Sequence, residues 1–228
     1  GEINNQGWLS YFPIIYLIKE PSAFHVLTLI ALLYAVWLRK RPSFLVFSLL
    51  SFIGLYWATS LRSNLNIGVR HLLPILPFTI ILVSAATIKL LNPVRNQRFL
   101  NGVKYAFFVV LIFWQIISVI SVYPSFLAYF NELAGGPSNG YKYVVYSNLD
   151  WGQDLKRLEK WTEKNNINKI YLDYFGGSDA KFYLKEKYAP WWGDRHPAEL
   201  PKGSYLAVSA TFLQGGRGRP APGFDSPT

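Results

Sequence analysis

The sequence contains neither cysteine nor methionine, and these absences exclude several kinds of protein. Without cysteine there can be no disulfide framework and no cysteine-based metal site. The three histidines, His25, His71 and His196, show none of the spacings typical of metal ligands, so we expect neither a metal site nor a cofactor. Because the chain begins with Gly1 and shows no signal-peptide pattern, we expect a fragment of a longer protein.

Acidic residues are also missing from the long stretch between Glu20 and Glu132. A soluble surface of that length would carry carboxylates, whereas a membrane segment excludes them because a carboxylate in hydrocarbon is costly. Most of the net charge of +10 lies in residues 1–122, which hold ten Lys/Arg and two Glu, against thirteen Lys/Arg and eleven Asp/Glu in residues 123–228. A basic excess at the ends of apolar runs is a membrane-topology pattern, so nucleic acid is not expected as a partner.

Apolar stretches in residues 1–122 are long enough to cross a bilayer, which takes about 20 residues. We therefore predict a polytopic α-helical membrane region with about four spans. They lie at 22–38, 43–61, 72–91 and 105–122. Residues 1–20 are too short for a span, and their aromatic side chains fit either the headgroup level of a bilayer or an ordinary amphipathic segment.

The charges of the predicted loops indicate the orientation. Loops 39–42 and 92–104 carry three basic residues each, whereas loop 62–71 carries two. Because the more basic loops stay in the cytoplasm, we predict that loop 62–71 and everything after Val122 lie on the outer side of the membrane.

Polar residues cluster near the outer end of the second and third spans. They are Arg62, Asn64, Asn66, Arg70 and His71. A pair of arginines at a membrane surface can hold a lipid phosphate, because the planar guanidinium matches phosphate oxygens. Alternatively, the side chains only extend to water, and spacing alone favours this second interpretation.

We predict that residues 123–213 form a small extramembrane α/β domain. We predict strands at 143–146, 169–174 and 204–210, and helices at 153–165 and 180–187. Strand, helix and strand at this spacing form a βαβ unit with a parallel sheet. The tail, residues 214–228, is rich in Gly, Pro and Arg and is predicted to be disordered.

The stretch 146–155, Tyr-Ser-Asn-Leu-Asp-Trp-Gly-Gln-Asp-Leu, joins the first predicted strand to the first predicted helix. Ligands of open α/β sheets bind at the carboxyl ends of strands, so Asp150, Gln153 and Asp154 are candidates for contact with a sugar or phosphate. Helix capping by Asp150 or Gly152 accounts for the same residues, and this structural interpretation is favoured.

Three motifs occur in a characteristic order. They are Asn-Ile-Gly-Val-Arg-His-Leu-Leu-Pro-Ile-Leu-Pro at 66–77, Tyr-Phe-Asn-Glu at 129–132 after Tyr-Pro at 123–124 and before Gly-Gly at 135–136, and Ser-Asn-Leu-Asp-Trp-Gly-Gln-Asp-Leu at 147–155. Together they resemble the C-terminal part of bacterial membrane glycosyltransferases of family 39, which belong to the GT-C class and include protein mannosyltransferases and aminoarabinose transferases. The resemblance covers about residues 6–213.

The resemblance implies an enzyme of the bacterial cytoplasmic (inner) membrane with an extracytoplasmic C-terminal domain. Such an enzyme moves a sugar from a polyprenyl-phosphate donor to a glycan, lipid or protein acceptor at the outer face. The catalytic carboxylate of the family lies in an early external loop that no residue here matches, so no catalytic residue is expected in this chain and the chain alone is expected to be inactive. Lys19, Arg70 and His71 are the residues expected to face the donor phosphate, and Asp150, Gln153 and Asp154 stay secondary candidates for acceptor contact.

Other classes of protein stay open at this point. One is a non-catalytic membrane module whose outer α/β domain binds a glycan or a protein partner. A transporter is less favoured, because it would show polar residues in mid-span or an internal repeat.

Overall fold

The structure is a computed structural model of the 228-residue chain and describes residues 8–38, 41–63, 67–192 and 195–215. It is mostly helical, with a small parallel sheet, and divides into two compact units. We call Asn4–Gly140 the helical unit and the part of the chain from Tyr141 onward the α/β unit. Arg39, Lys40, Asn64 and Asn66, which enter the predictions on orientation and phosphate contact, lie outside the described residues.

The described part of the helical unit contains α-helices at positions close to the predicted spans. In chain order they are α1 (Tyr11–Lys19), α2 (Ser22–Leu38), α3 (Phe44–Leu61), α4 (Leu76–Leu91) and α5 (Arg98–Ile120). A 3-10 helix, Val69–Ile75, leads directly into α4.

Three of the described helical segments are long and apolar enough to span a membrane, namely Phe44–Leu61, Val69–Leu91 and Arg98–Ile120. This confirms the apolar helices predicted at 43–61, 72–91 and 105–122 in length and composition. The helix predicted at 22–38 is also present, but α2 reaches the length of a span only together with α1, from which it is bent by 112°.

Prolines account for both interruptions of these helices. A residue that precedes proline is pushed out of the helical region, and Glu20, before Pro21, is extended with φ −91° and ψ 150°. The chain therefore turns sharply between α1 and α2. Pro74 lies inside the 3-10 helix and Pro77 in the first turn of α4, where the missing N–H of proline leaves no helical hydrogen bond unmade.

The core of the helical unit lies where α2 packs against α4 and α5. Its buried side chains are Ala23, Phe24, Leu27, Val83, Phe108 and Leu111. Outward faces of the same unit are also apolar: Phe47 of α3 and Val110 and Ile117 of α5 are each about 60% exposed. An apolar surface on this scale marks an interaction site, and the length of the helices makes it consistent with membrane association.

The α/β unit is built around a three-stranded parallel sheet in its described residues. Its elements are α6 (Leu155–Lys164), β1 (Ile170–Asp173), α7 (Ala180–Leu184), β2 (Tyr188–Pro190), β3 (Tyr205–Val208) and α8 (Ala210–Gly215). The strand order is β2-β1-β3, and Ile170 of β1 pairs with Tyr188 of β2 and with Tyr205 of β3.

Most predicted elements of the α/β unit are confirmed. The helix predicted at 153–165 is α6, the strands at 169–174 and 204–210 are β1 and β3, and the helix at 180–187 is α7 with a following 3-10 turn, Lys185–Lys187.

The strand predicted at 143–146 is wrong. Residues 143–145 lie between two 3-10 turns, Pro137–Lys142 and Tyr146–Asn148, and Tyr146, which begins the second turn, has a φ of +54°. The crossover helix of the βαβ unit is accordingly α7, between β1 and β2, and α6 precedes the sheet. Strand β2 was not predicted, because it has only three residues and ends in Pro190, which the sheet tolerates at an edge.

Two predicted boundaries also differ from the structure. The tail was predicted to be irregular from residue 214, but α8 continues to Gly215, and 216–228 lie outside the described residues. The compact helical unit continues to Gly140, beyond the predicted end of the membrane region at Val122, and that end itself stays a prediction. The helical unit continues this far because residues 127–132 are hydrogen-bonded to α1, α2 and α5.

Candidate functional site

The side chain of Lys19 ties the end of α1 to the segment that follows α5. Its Nζ donates hydrogen bonds to the carbonyl oxygens of Leu127, at 2.8 Å, and Tyr129, at 2.7 Å. It also lies 4.3 Å from the ring centre of Phe130, within the range of a cation–π interaction. Lys19 is buried although it is charged, and these contacts compensate for the loss of water.

Asn131 makes the return contact to the same end of α1. Its Nδ2 donates to the carbonyl oxygens of Leu17, at 2.6 Å, and Glu20, at 2.8 Å, and its backbone N–H donates to the carbonyl of Ile18, at 2.9 Å. The last carbonyls of an α-helix have no intrahelical partner, so Asn131 caps α1 from a distant part of the chain. We call the contacts of Lys19 and Asn131 the clasp.

Glu132, the next residue, holds a carboxylate among hydrogen-bond donors from two helices. Its Oε1 accepts from Nε1 of Trp114, at 2.9 Å, and from Oγ of Ser118, at 3.5 Å, and its Oε2 accepts from Oγ of Ser22. Partial burial raises the pKa of Glu132, but the hydrogen bonds outweigh it and hold the pKa below its usual value. The carboxylate is therefore charged at neutral pH.

A cavity of about 600 Å³ lies between α2, α4 and α5 in the helical unit. Three of its lining residues, Lys19, Glu20 and Tyr129, have polar side chains and lie at or near the clasp. The rest of the wall is mostly apolar and includes Phe24, Leu27, Ile80, Val83, Ile112 and Val119. A cavity of this kind fits a ligand that has a hydrocarbon part and a polar group.

Arg70 and His71 lie in the 3-10 helix before α4. Arg70 is exposed, and its Nε donates to the carbonyl oxygen of Ile67 at 3.0 Å. The ring of His71 lies 5.1 Å from that of Phe12 and 5.5 Å from that of Tyr56. His71 thus packs as an aromatic side chain in the described structure.

The three residues predicted to face a donor phosphate are not gathered at one point. His71 contacts Phe12, which lies seven residues before Lys19 on α1, or about 10 Å along the helix. Among the described residues, the cavity wall includes Lys19 but neither Arg70 nor His71. A shared role in phosphate binding stays a prediction.

The Asp-Trp-Gly-Gln-Asp stretch of the α/β unit is an internally hydrogen-bonded turn. Oδ1 of Asp150 accepts from the backbone N–H of Gly152 at 2.9 Å. Gln153 accepts from the N–H of Trp151 at 2.7 Å and donates to the carbonyl of Leu149 at 3.0 Å. The polar side chains of Asp150 and Gln153 are therefore engaged in holding the turn.

Gly152 docks this turn against the residues that follow β1. Its carbonyl accepts from the hydroxyl of Tyr174 at 2.7 Å, and its φ is +76°. A Cβ at this position would clash with that hydroxyl and lie 2.6 Å from the carbonyl oxygen of Phe175. Only glycine fits both the dihedral angle and the space.

The predicted capping of α6 by Asp150 or Gly152 is wrong. The N-cap residue is Asp154, whose side chain makes no capping bond and instead pairs with Arg157 at 3.3 Å on the exposed surface. Asp150 was expected at the carboxyl end of a strand, and it does lie near strand ends, although not at the strand predicted for 143–146. Because Tyr174 follows β1 and Thr211, whose hydroxyl donates to the Asp150 carbonyl at 3.4 Å, follows β3, the turn lies near the carboxyl ends of these two strands. Acceptor contact by Asp150, Gln153 and Asp154 stays a prediction.

The sequence alone predicts no role for Asn131, Glu132 or Trp114. The signal available for the first two was the Tyr-Phe-Asn-Glu motif at 129–132, together with the position of Glu132 as the first carboxylate after a long acid-free stretch. Nothing in the sequence pairs Trp114 with Glu132. No group of three or more His, Cys, Asp or Glu side chains that could hold a metal ion occurs among the described residues.

Comparisons with known protein families, with curated proteins and with solved structures found no match. The resemblance to family 39 glycosyltransferases therefore stays a prediction that rests on the three motifs.

We expect Gly152→Ala to destabilise the α/β unit by about 2 kcal/mol or more, because the new methyl group meets both steric overlap and a positive φ. Gly177→Ala is the matched control, since nothing lies within 4 Å of a Cβ built there. Thermal unfolding of both variants, followed by far-UV circular dichroism, measures the difference. Equal stability of the two variants would contradict the proposed docking of the turn.

We also expect Glu132 to make the helical unit sensitive to acid. Its folded pKa lies below the ordinary value of 4.5, so its stabilising contribution is present above that value and is lost as the pH falls through the folded pKa. The unfolding temperature of the wild-type chain should therefore fall more between about pH 7 and pH 3 than the unfolding temperature of Glu132→Gln. Trp114→Phe, which removes one donor, should weaken the acid dependence in the same direction, and an identical acid dependence in all three proteins would exclude the role of Glu132.

Proposed function

We propose that this chain is the C-terminal part of an integral membrane glycosyltransferase that uses a polyprenyl-phosphate sugar donor. The observation that carries the proposal is the cavity between α2, α4 and α5, which combines an apolar wall with a polar end formed by Lys19, Glu20 and Tyr129. This combination matches the two parts of the donor, a hydrocarbon chain and a phosphate-linked sugar.

Lys19 is suited to attract the phosphate even though the clasp holds it. The carbonyl oxygens of Leu127 and Tyr129 stabilise the ammonium group without neutralising its charge. Because hydrogen bonds to both carbonyls hold the ammonium group in place, it does not have to reorganise when an anion binds. A charge that is already in position is the condition for effective electrostatic stabilisation. In this proposal Lys19 both holds the clasp together and attracts the phosphate of the donor.

In the proposed reaction, a carboxylate outside this chain activates the acceptor hydroxyl as a general base. The hydroxyl oxygen displaces the lipid phosphate from the anomeric carbon of the sugar with inversion, and cations stabilise the negative charge that stays on the leaving phosphate. This chain contributes the second half of the mechanism, with Lys19 at the cavity and Arg70 as a further cation. The outer side of the bacterial cytoplasmic membrane is the proposed place of the reaction, as the loop charges and the resemblance indicate.

A second candidate function is a non-catalytic membrane module whose α/β unit binds a glycan. A cavity in that unit with two tryptophans in its wall favours this alternative. The two candidates differ in their dependence on the cavity of the helical unit, which only the transferase needs.

We expect Ser84→Trp to weaken binding of a polyprenyl phosphate at least about tenfold, because the indole fills part of the cavity in the helical unit. Ala85→Trp is the matched control, since Ala85 is the adjacent exposed residue of α4 and is not part of the cavity wall. Undecaprenyl phosphate is titrated into the chain in detergent, and the rise in unfolding temperature reports binding. Equal binding by both variants would remove the main support for the proposed donor site.

We expect Arg70→Ala to reduce sugar transfer about a hundredfold in the complete membrane enzyme, because the proposed mechanism uses Arg70, which lies outside the cavity wall, as a second cation for the leaving phosphate. Arg70→Lys keeps the charge but not the planar fork, so it should retain more activity. Arg98→Ala, which removes an exposed arginine at the start of α5, is the control and should leave transfer unchanged. Turnover is measured in membranes with a lipid-linked sugar at equal expression, and full activity of Arg70→Ala would exclude the assigned role.

A further inference from the structure

The α/β unit contains a cavity of about 420 Å³ beside β1, β2 and the start of α7. Its wall includes Tyr174, Asp179, Lys181, Trp191 and Trp192. It shares none of its lining residues with the Asp-Trp-Gly-Gln-Asp turn. We propose that this cavity is a saccharide-binding site.

The two tryptophans give the cavity a fixed and a solvent-facing aromatic wall. Trp191 is buried, its backbone N–H donates to the carbonyl of Leu172 at 3.0 Å, and its ring meets that of Tyr171 edge-on at 5.8 Å. Trp192, by contrast, is 49% exposed. The ring of Trp191 already meets the guanidinium of Arg195 at 5.7 Å, so Trp192 is the residue whose negative ring face can attract the polarised C–H groups on one face of a pyranose ring.

The polar side chains at the cavity can contact the hydroxyl groups of the same ligand. The carboxylate of Asp179 is positioned by the hydrogen bond in which its Oδ1 accepts from the N–H of Lys181 at 2.8 Å. Asp179 is an acceptor and the Lys181 ammonium a donor, and Ser178 can act as both. Tyr174 contributes its ring, because its hydroxyl already donates to Gly152.

The charges favour a neutral saccharide over other small ligands. Among the described residues of the wall, the charges of Asp179 and Lys181 are opposite, so the wall itself gives an anion no net attraction. Arg195, whose guanidinium lies 5.7 Å from the ring centre of Trp191, is a cation beside that wall and not one of its lining residues. A hydrocarbon ligand would leave the polar groups without partners, which is costly. A pyranose satisfies both kinds of wall, since it presents C–H groups on its face and hydroxyls at its edge. The volume lies within the range of small-molecule sites.

This inference does not depend on the proposed transferase activity. If the transferase proposal is correct, the cavity is a place for a sugar unit of the acceptor. If it fails, the cavity is the binding site of a glycan-binding module.

Saturation-transfer NMR on the whole chain tests the site. The probes are methyl α-D-mannopyranoside and methyl α-D-glucopyranoside, and D-sorbitol is the comparison, because it has hydroxyl groups but no pyranose face. The detergent is lauryldimethylamine oxide, which has no sugar head group that would compete. No lipid donor is present, so binding is measured separately from transfer.

We expect saturation transfer to at least one of the glycosides and not to sorbitol. Trp192→Ala should weaken binding of the glycoside at least about tenfold. Trp161→Ala, which removes a similarly exposed tryptophan on α6 outside the cavity, should leave binding unchanged. Asp179→Asn should also weaken binding while it keeps the Oδ1 acceptor for the N–H of Lys181 and hence the start of α7.

Circular dichroism and thermal unfolding establish whether each variant is folded. If Trp192→Ala does not fold, the test rests on whether Asp179→Asn weakens binding of the glycoside. The proposal is overturned if the folded chain gives no signal with either glycoside. It is also overturned if sorbitol gives an equal signal, or if folded Trp192→Ala binds as wild type does.

Discussion

The helical unit depends on how the end of α1 is capped. Pro21 forces Glu20 into an extended conformation, so α1 stops and its last carbonyl groups lose their helical partners. In an apolar surrounding an unpaired carbonyl is costly, and Asn131 supplies the missing donors while Lys19 binds carbonyls in the opposite direction. A sharp bend between α1 and α2 is tolerated because these donors come from elsewhere in the chain.

The clasp also places the groups on which the proposed chemistry depends. It brings Lys19 and Tyr129 to the wall of the apolar cavity, and it leaves Glu132 beside Ser22 and Trp114. A charged side chain at the edge of an apolar cavity is expensive unless several partners hold it. Lys19 therefore meets the structural demand at the end of α1, and under the proposed function the same side chain would meet the electrostatic demand of the phosphate.

Helices were predictable from sequence where length and composition alone decide them. α3, α4 and α5 follow from their apolar runs, and β1 and β3 follow from short apolar segments between turns. The segment 143–146 has the same local pattern but forms no strand, because strand pairing depends on tertiary context. The clasp could not be predicted, since Lys19 and Tyr129 lie 110 positions apart and hydrogen bonds to carbonyls leave no trace in residue type. Asp150 was predicted either to cap α6 or to contact an acceptor; the structure shows instead that its side chain holds a turn, and acceptor contact stays a prediction.

The separation of the clasp residues along the chain has a consequence for biosynthesis. α1 and α2 are translated before α5, so the partners that complete their bend are made about 110 residues later. Until then, the polar groups at the bend must be satisfied by water or by other molecules, because an apolar surrounding offers them no partners. The helical unit thus cannot mature strictly in the order of its synthesis, and its first corner is closed only after its last long helix has been made.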